Sequence, residues 1–181
     1  GARWVHADRA VAASLAFSTD WPPIARSRIP LVAGLAALEA LPAGPRLAWP
    51  NDVMLAGVKI GGLIAESDGP VVVAGFGLNL YWRDPIEGAG ALLPDDPGDE
   101  MADRVAAGWA EALLRRIECG PQDWGIDEYR AASATLGEAV TWDPDGRGVA
   151  IDVDAAGGLV VETAAGRIIL DSGIVRRVRQ S

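Results

Sequence analysis

Arg46-Leu-Ala-Trp-Pro-Asn-Asp-Val-Met-Leu-Ala-Gly-Val-Lys-Ile-Gly-Gly-Leu-Ile-Ala-Glu66 joins a short apolar strand, a Trp-Pro-Asn-Asp turn, a lone lysine and a pair of glycines. The apolar pattern resumes through residues 71–80 and contains Gly75-Phe-Gly-Leu-Asn79. Side chains along a strand alternate between faces. On the second strand Val71, Val73, Gly75, Gly77 and Asn79 therefore share one face, and Val72, Ala74, Phe76, Leu78 and Leu80 share the other. One face is continuously apolar, while the opposite face loses its side chains at two glycines beside an asparagine. On the first strand, residues 58–66, Lys59 and Gly61 share a face between the apolar Val58 and Ile60. The Ser67-Asp-Gly-Pro70 segment is a hairpin signal that pairs the two strands. The product is a sheet surface stripped of side chains, flanked by an ammonium and an amide. Bare backbone lets a ligand approach closely, and Lys59 can hold a carboxylate or phosphate. A bulge at Gly61-Gly62 would shift this parity. Singly, the glycine pair reads as a bulge, Lys59 as a solvated edge lysine and Asn51-Asp52 as a turn. Their conjunction in one short stretch points to a binding site.

Outward from this stretch, residues 46–49 form a short strand, with Trp49 biased towards extended backbone by Pro50 and followed by the turn formers Asn51 and Asp52. Residues 11–17 are apolar and predict a strand, broken by Trp21-Pro-Pro23. Residues 24–41 carry Leu31, Leu35 and Leu38 at helical spacing, and Pro30 points to a helix that begins there, with proline in its first turn. A loop rich in Pro, Gly and Asp runs to Asp99. Met101, Val105, Trp109 and Leu113 mark an amphipathic helix to about residue 118, and residues 123–132 form a shorter one. The texture then changes. Residues 138–142, 149–153, 159–163, 167–170 and 174–178 read as short strands separated by glycine-rich turns. Such a series predicts a small β-barrel, too small to stand alone and expected to dock on the preceding domain. The division falls between residues 1–133 and 134–181.

Composition narrows the chemistry. A chain of 181 residues, half of them apolar, can bury one core plus a small appendage. The single cysteine, Cys119, excludes an internal disulfide and a cysteine-based zinc site, and fits a reducing, cytoplasmic setting. The single histidine, His6, rules out a multi-histidine metal centre. A net charge of -9 argues against broad nucleic-acid binding, which needs clustered cations. The one basic cluster, Arg176-Arg177-Val-Arg179, reads as a tail or as a phosphate contact. The longest apolar run, residues 29–38, is too short for a membrane helix, which needs about 20 residues. Gly75-Phe-Gly-Leu-Asn-Leu80 lacks the third glycine of a dinucleotide fingerprint, and there is no Walker loop.

Trp49-Pro-Asn-Asp52, then Lys59-Ile-Gly-Gly-Leu-Ile-Ala-Glu66, then Gly75-Phe-Gly-Leu-Asn79 resembles, in order and spacing, the signature series of biotin protein ligases within the biotin/lipoate ligase superfamily. Trp4, Asp127-Glu-Tyr-Arg-Ala-Ala-Ser133 and residues 173–179 extend the resemblance over nearly the whole chain. It implies an α+β fold: a mixed β-sheet flanked by helices, like that of class II aminoacyl-tRNA synthetases, with a C-terminal SH3-like β-barrel. It implies that biotin carboxylate attacks the α-phosphate of ATP, with magnesium accompanying the nucleotide. A lysine of a biotin carboxyl carrier protein then takes the biotinyl group. Neither step needs an enzyme nucleophile, so catalysis rests on positioning and charge stabilisation. By the same resemblance Lys59 contacts the biotin carboxylate and the adenylate phosphate, with Gly61, Gly62 and Gly75 bordering biotin. Asn51 and Asn79 lie on the nucleotide side, Trp4 near adenine and Arg179 near the nucleotide. No metal ligand is assigned to the chain itself.

Two departures accompany the resemblance. The family usually has a lysine or arginine where this chain has Ala48. One charge-assisted contact fewer is worth about 1.5–3 kcal/mol. Arg46 would share the missing side chain's face but sits far along the strand. The family's upstream Gly-Arg loop, glutamine and Ser-Thr-Asn segment have no counterpart in the sequence, which begins at Gly1 in mid-pattern. The expectation is an N-terminally truncated ligase of weak or no activity, carrying the floor of the site without its lid. The rival readings are a non-catalytic relative that binds a nucleotide or a carrier protein, and a lipoate-type ligase. Open sheet edges leave room for a homodimer.

Overall fold

The computed structural model describes residues 7–171 and 175–178. In chain order they form β1 (Arg9–Ser18), a short 3₁₀ helix (Pro23–Arg28), α1 (Ile29–Ala40), β2 (Arg46–Ala48), β3 (Asp52–Leu55), β4 (Val58–Asp68) and β5 (Val71–Tyr81). There follow α2 (Glu100–Glu118), α3 (Ile126–Ala132), β6 (Ala139–Trp142), β7 (Gly146–Val153), β8 (Leu159–Thr163), β9 (Gly166–Leu170) and β10 (Val175–Arg177). The first five strands pair in the order β1-β5-β4-β3-β2, and the last five in the order β10-β6-β7-β8-β9. Every ladder between these strands is antiparallel. Parallel pairing is confined to isolated bridges such as Leu47 with Ser133. The expected mixed sheet is therefore corrected to an antiparallel one. Along β2–β5 and β6–β9 successive strands are joined by links of a few residues, too short for the crossovers that parallel neighbours need.

The alternation read from β5 sets the layers. Val72, Ala74, Phe76, Leu78 and Leu80 are at most 2% exposed, whereas Val71 and Val73 are 44% and 46% exposed. Helices α1 and α2 cover the apolar face. The Phe76 ring lies 5.3 Å from Trp109 on α2, whose indole N–H donates to the Ala33 carbonyl on α1 at 3.2 Å. The α-helix begins at Ile29 with Pro30 in its first turn, as the sequence implied, and the residues before it form the 3₁₀ segment. The opposite face of the first sheet carries no helix among the described residues.

Two local features differ from the sequence reading. Asp52–Leu55 is a strand in its own right, turned back on β4 through Ala56 and Gly57, whose φ values are +48° and +82°. Two consecutive positive φ values match the twist of a two-residue hairpin. The second feature is a bulge: Met54 pairs with Lys59 but Val53 pairs with Gly61, so Ile60 is the extra residue.

The second sheet shares the core of the first. Val140, Ala150, Val153, Leu159 and Val161 belong to one buried cluster with the residues of α1, α2 and β5. Arg130 clasps the Asp152 carboxylate with Nε at 2.7 Å and Nη2 at 3.0 Å. The Trp124 indole donates to the Ala155 carbonyl at 3.2 Å. The expected docking is thus observed. Among the described residues the second sheet is an open five-stranded array, with no ladder between β9 and β10 to close it as a barrel.

Candidate functional site

Register places small residues in rows across the open face of the first sheet. Ala12, Gly77 and Gly62 face one another across β1, β5 and β4, and Ser14, Gly75 and Ile64 form the next row. A Cβ on Gly75 would come within 2.8 Å of Ile64 Cγ1. The result is a shallow cavity of about 340 Å³ over bare backbone, edged by Asn51, Asp52 and Lys59. The Lys59 stem arches across Gly62: its Cε would lie 3.6 Å from a Cβ built there. Its ammonium meets the Asp52 carboxylate at 2.5 Å. The two side chains are 50% and 33% exposed, so solvent screens the pair and its worth is about 1 kcal/mol at most. An incoming anion can therefore share the ammonium at little cost. Asp52 is the site residue that sequence reasoning passed over as a turn former. Its place became visible only with β3 paired to β4, which puts Asp52 opposite Gly62.

The structure brings Lys59, Gly62 and Gly75 together and redirects others. Gly61 is corrected: the bulge at Ile60 turns two consecutive residues, Ile60 and Gly61, towards the helices. A Cβ on Gly61 would strike the Gly77 carbonyl oxygen at 2.5 Å and Leu78 Cδ1 at 3.0 Å. Gly62 takes its place on the open face. Asn51 edges the sheet-face cavity rather than a separate nucleotide compartment. Its amide donates to the Leu63 carbonyl at 2.6 Å while its own carbonyl accepts from the Leu63 N–H at 2.8 Å, which pins the turn to β4. Asn79 lies on the open face of β5, but its amide donates to the Gly90 carbonyl at 2.9 Å, holding the segment that follows the strand. Arg46 cannot replace the cation absent at Ala48, because its guanidinium donates to the Ser133 carbonyl. Trp4 and Arg179 lie outside the described residues.

A second cavity, of about 320 Å³, opens between the two sheets. Ala48, Trp49, Thr135, Glu138 and Val178 line it, and Lys59 and Asp52 line it as well. Those two side chains therefore stand where the two cavities meet, and Lys59 is the only cation lining this second one among the described residues. Tyr129 on α3 is 1% exposed, and its hydroxyl has no hydrogen-bond partner among the described residues. Burial pushes its pKa well above the ordinary phenol value, and the Asp52 carboxylate adds to the rise. Among the described residues no group of three His, Cys, Asp or Glu side chains could hold a metal, and no helix is long and apolar enough to cross a membrane.

Residues 1–78 match the model of the biotin/lipoate A/B protein ligase family. Over 177 residues the chain is 33% identical to the biotin--[acetyl-CoA-carboxylase] ligase of Mycobacterium tuberculosis, covering 88% of this chain and 66% of that protein's length. It is 31% identical over 206 residues to the ligase of the same name from Paracoccus denitrificans, covering 97% of this chain and 83% of the relative. In fold it resembles the biotin protein ligase of Aquifex aeolicus. The apo structure superposes with a TM-score of 0.72 at 23% identity, over 91% of this chain and 82% of that one. The complex with biotin and ATP gives a TM-score of 0.73 at 20% identity, over 98% and 83%.

Proposed function

The chain belongs to the biotin protein ligases of the biotin/lipoate A/B protein ligase family, and from that premise we propose that it joins biotin to ATP as biotinyl-5'-AMP and passes biotin to a lysine of a biotin carboxyl carrier protein. One observation carries the reading: two cavities of similar size meet at Lys59 and Asp52. A biotinyl-adenylate is a molecule of two halves joined at an acyl phosphate. The bare sheet face over Gly62 and Gly75 suits the biotinyl half, the cavity between the sheets suits the nucleotide half, and Lys59 stands at the join.

In the first step a biotin carboxylate oxygen attacks the α-phosphorus and diphosphate leaves. Negative charge gathers at the join, where the Lys59 ammonium is placed to offset it. Asp52 biases that ammonium towards its place over Gly62. In the second step the carrier lysine amine attacks the acyl carbon, AMP leaves with the bonding electrons, and the amine loses its proton. Asn51, tied twice to Leu63, keeps the Trp-Pro-Asn-Asp turn from drifting during both steps. Magnesium fits this site only as a passenger of the triphosphate. Asp52 and Glu138 line the inter-sheet cavity, and one or two carboxylates plus substrate phosphates are the usual magnesium donors. When bound it would offset phosphate charge. Residues 134–181 are read as the SH3-like module that closes this cavity from the far side, and 1–133 as the ligase domain.

The test is incubation with biotin, ATP labelled on the α-phosphate and a biotin carboxyl carrier protein. The reading expects labelled biotinyl-adenylate, then AMP and one biotin on a carrier lysine. Turnover is expected to be weak; adenylate formed with lipoate and not with biotin would move the assignment to the lipoate branch, and a chain that neither forms adenylate nor binds a non-hydrolysable biotinyl-adenylate analogue would overturn it.

A further inference from the structure

The Trp49-Pro-Asn-Asp52 turn is suspended between the two sheets. Residues 133–135 run beside β2 as a short parallel companion: Ser133 bridges Leu47, and the Ala134 N–H donates to the Leu47 carbonyl at 2.6 Å. At the end of that companion the Thr135 hydroxyl accepts the Trp49 backbone N–H at 2.9 Å. The Trp49 indole N–H then reaches the turn between β7 and β8 of the second sheet and donates to the Gly157 carbonyl there at 2.9 Å. Thr135 and Trp49 are 1% and 4% exposed, so neither bond is in competition with water. A buried N–H left without its acceptor bears its full desolvation cost, which makes the grip of Thr135 on Trp49 a firm one. Three residues after Trp49 comes Asp52, which pairs with Lys59 at 2.5 Å.

We propose that Thr135 is a positioning residue for nucleotide-side binding: by holding Trp49 it fixes where Asp52 carries the Lys59 ammonium. This inference rests on the ligase reading above. It makes the second sheet part of the site's geometry, because the Trp49 side chain is anchored there. It also predicts selectivity. Thr135 and Trp49 line the inter-sheet cavity and not the sheet-face cavity. Asp52 and Lys59 edge both cavities, so loosening the turn should weaken a ligand that uses both cavities more than one that uses the sheet face alone.

The experiment compares calorimetric affinities for biotin and for a non-hydrolysable biotinyl-adenylate analogue. Thr135→Val is expected to lose about threefold to fivefold in affinity for the analogue while biotin stays within twofold, and Thr135→Ser to restore both. Combining Thr135→Val with Asp52→Asn should cost less than the sum of the two, since one acts through the other. Equal weakening of both ligands, no weakening, or strict additivity would overturn the inference. Where Thr135→Val does not fold, Thr135→Ala removes the same acceptor with a smaller side chain. It should show the same selective loss, and an unchanged ratio of affinities would again overturn the idea. Failure of the unmutated chain to bind the analogue at all would bring down the ligase reading first and this inference with it.

Discussion

Alanine at Gly62 and alanine at Gly61, one residue apart, should have opposite consequences. A Cβ on Gly62 would sit 3.5 Å from the Asn51 carbonyl oxygen, 3.5 Å from Asp52 Oδ1 and 3.6 Å from Lys59 Cε, all ordinary contacts. Gly62→Ala should therefore fold, with stability changed by less than about 1 kcal/mol, and in the favourable direction if the unfolded chain loses freedom. The new methyl group lies on the floor of the sheet-face cavity, however. Forcing a methyl into occupied space costs about 1–3 kcal/mol, or roughly a fivefold to 150-fold loss of biotin affinity. At Gly61 the same methyl would meet the Gly77 carbonyl oxygen at 2.5 Å, and that atom is backbone in the middle of a ladder. Relief requires β4 and β5 to separate, at a cost near 3 kcal/mol, which lowers the melting temperature by roughly 6–12 °C for a chain of this size. Thermal melts followed by calorimetry with biotin read both effects. A Gly61→Ala chain as stable as the parent but unable to bind biotin, beside a Gly62→Ala chain that binds normally, would refute the bulged register and restore simple alternation.

Further predictions concern the nucleotide side and the buried phenol. Ala48→Lys should add a cation to the inter-sheet cavity, where Lys59 is now the only one among the described lining residues. An analogue affinity raised about tenfold or more, with biotin affinity unchanged, is the expected calorimetric result. Tyr129→Phe removes a hydroxyl that is buried without a partner among the described residues, so at neutral pH the variant should be as stable as the parent or more stable by about 1 kcal/mol. Its pKa is raised in the folded state, so the parent's stability holds below the ordinary phenol value near pH 10 and falls as pH rises beyond it. Denaturant titrations from pH 7 to 11 should show that alkaline fall reduced in Tyr129→Phe, and identical curves would contradict the burial argument.

Much of the framework was legible because it obeys period-two and helical patterning. The β4–β5 hairpin, the covered and open faces of β5 and the start of α1 around Pro30 all follow from local rules. What was not legible depends on partners distant in sequence or on unusual backbone. Strand β3 is only four residues long and turns at Ala56, a residue type that gives no warning of a positive φ. The bulge at Ile60 is set by which residue of β3 finds which residue of β4, and alternation within one strand cannot reveal it. For the same reason Gly61 and Gly62 exchanged places on the open face. Asp52 emerged as the partner of Lys59 only once β3 was a strand, and Thr135 only once residues 133–135 lay beside β2. Patterning located the stretch, the resemblance suggested its ligand, and tertiary pairing decided which of its side chains face the cavity.

Lys59 is proposed to join the two cavities into one site for an acyl-adenylate. Calorimetry of the chain and of Lys59→Ala with a non-hydrolysable biotinyl-adenylate analogue tests it directly. One-to-one binding by the parent is expected, with a loss of roughly 10-fold to 150-fold in Lys59→Ala, the worth of a charge-assisted contact. An affinity unchanged by Lys59→Ala would contradict it.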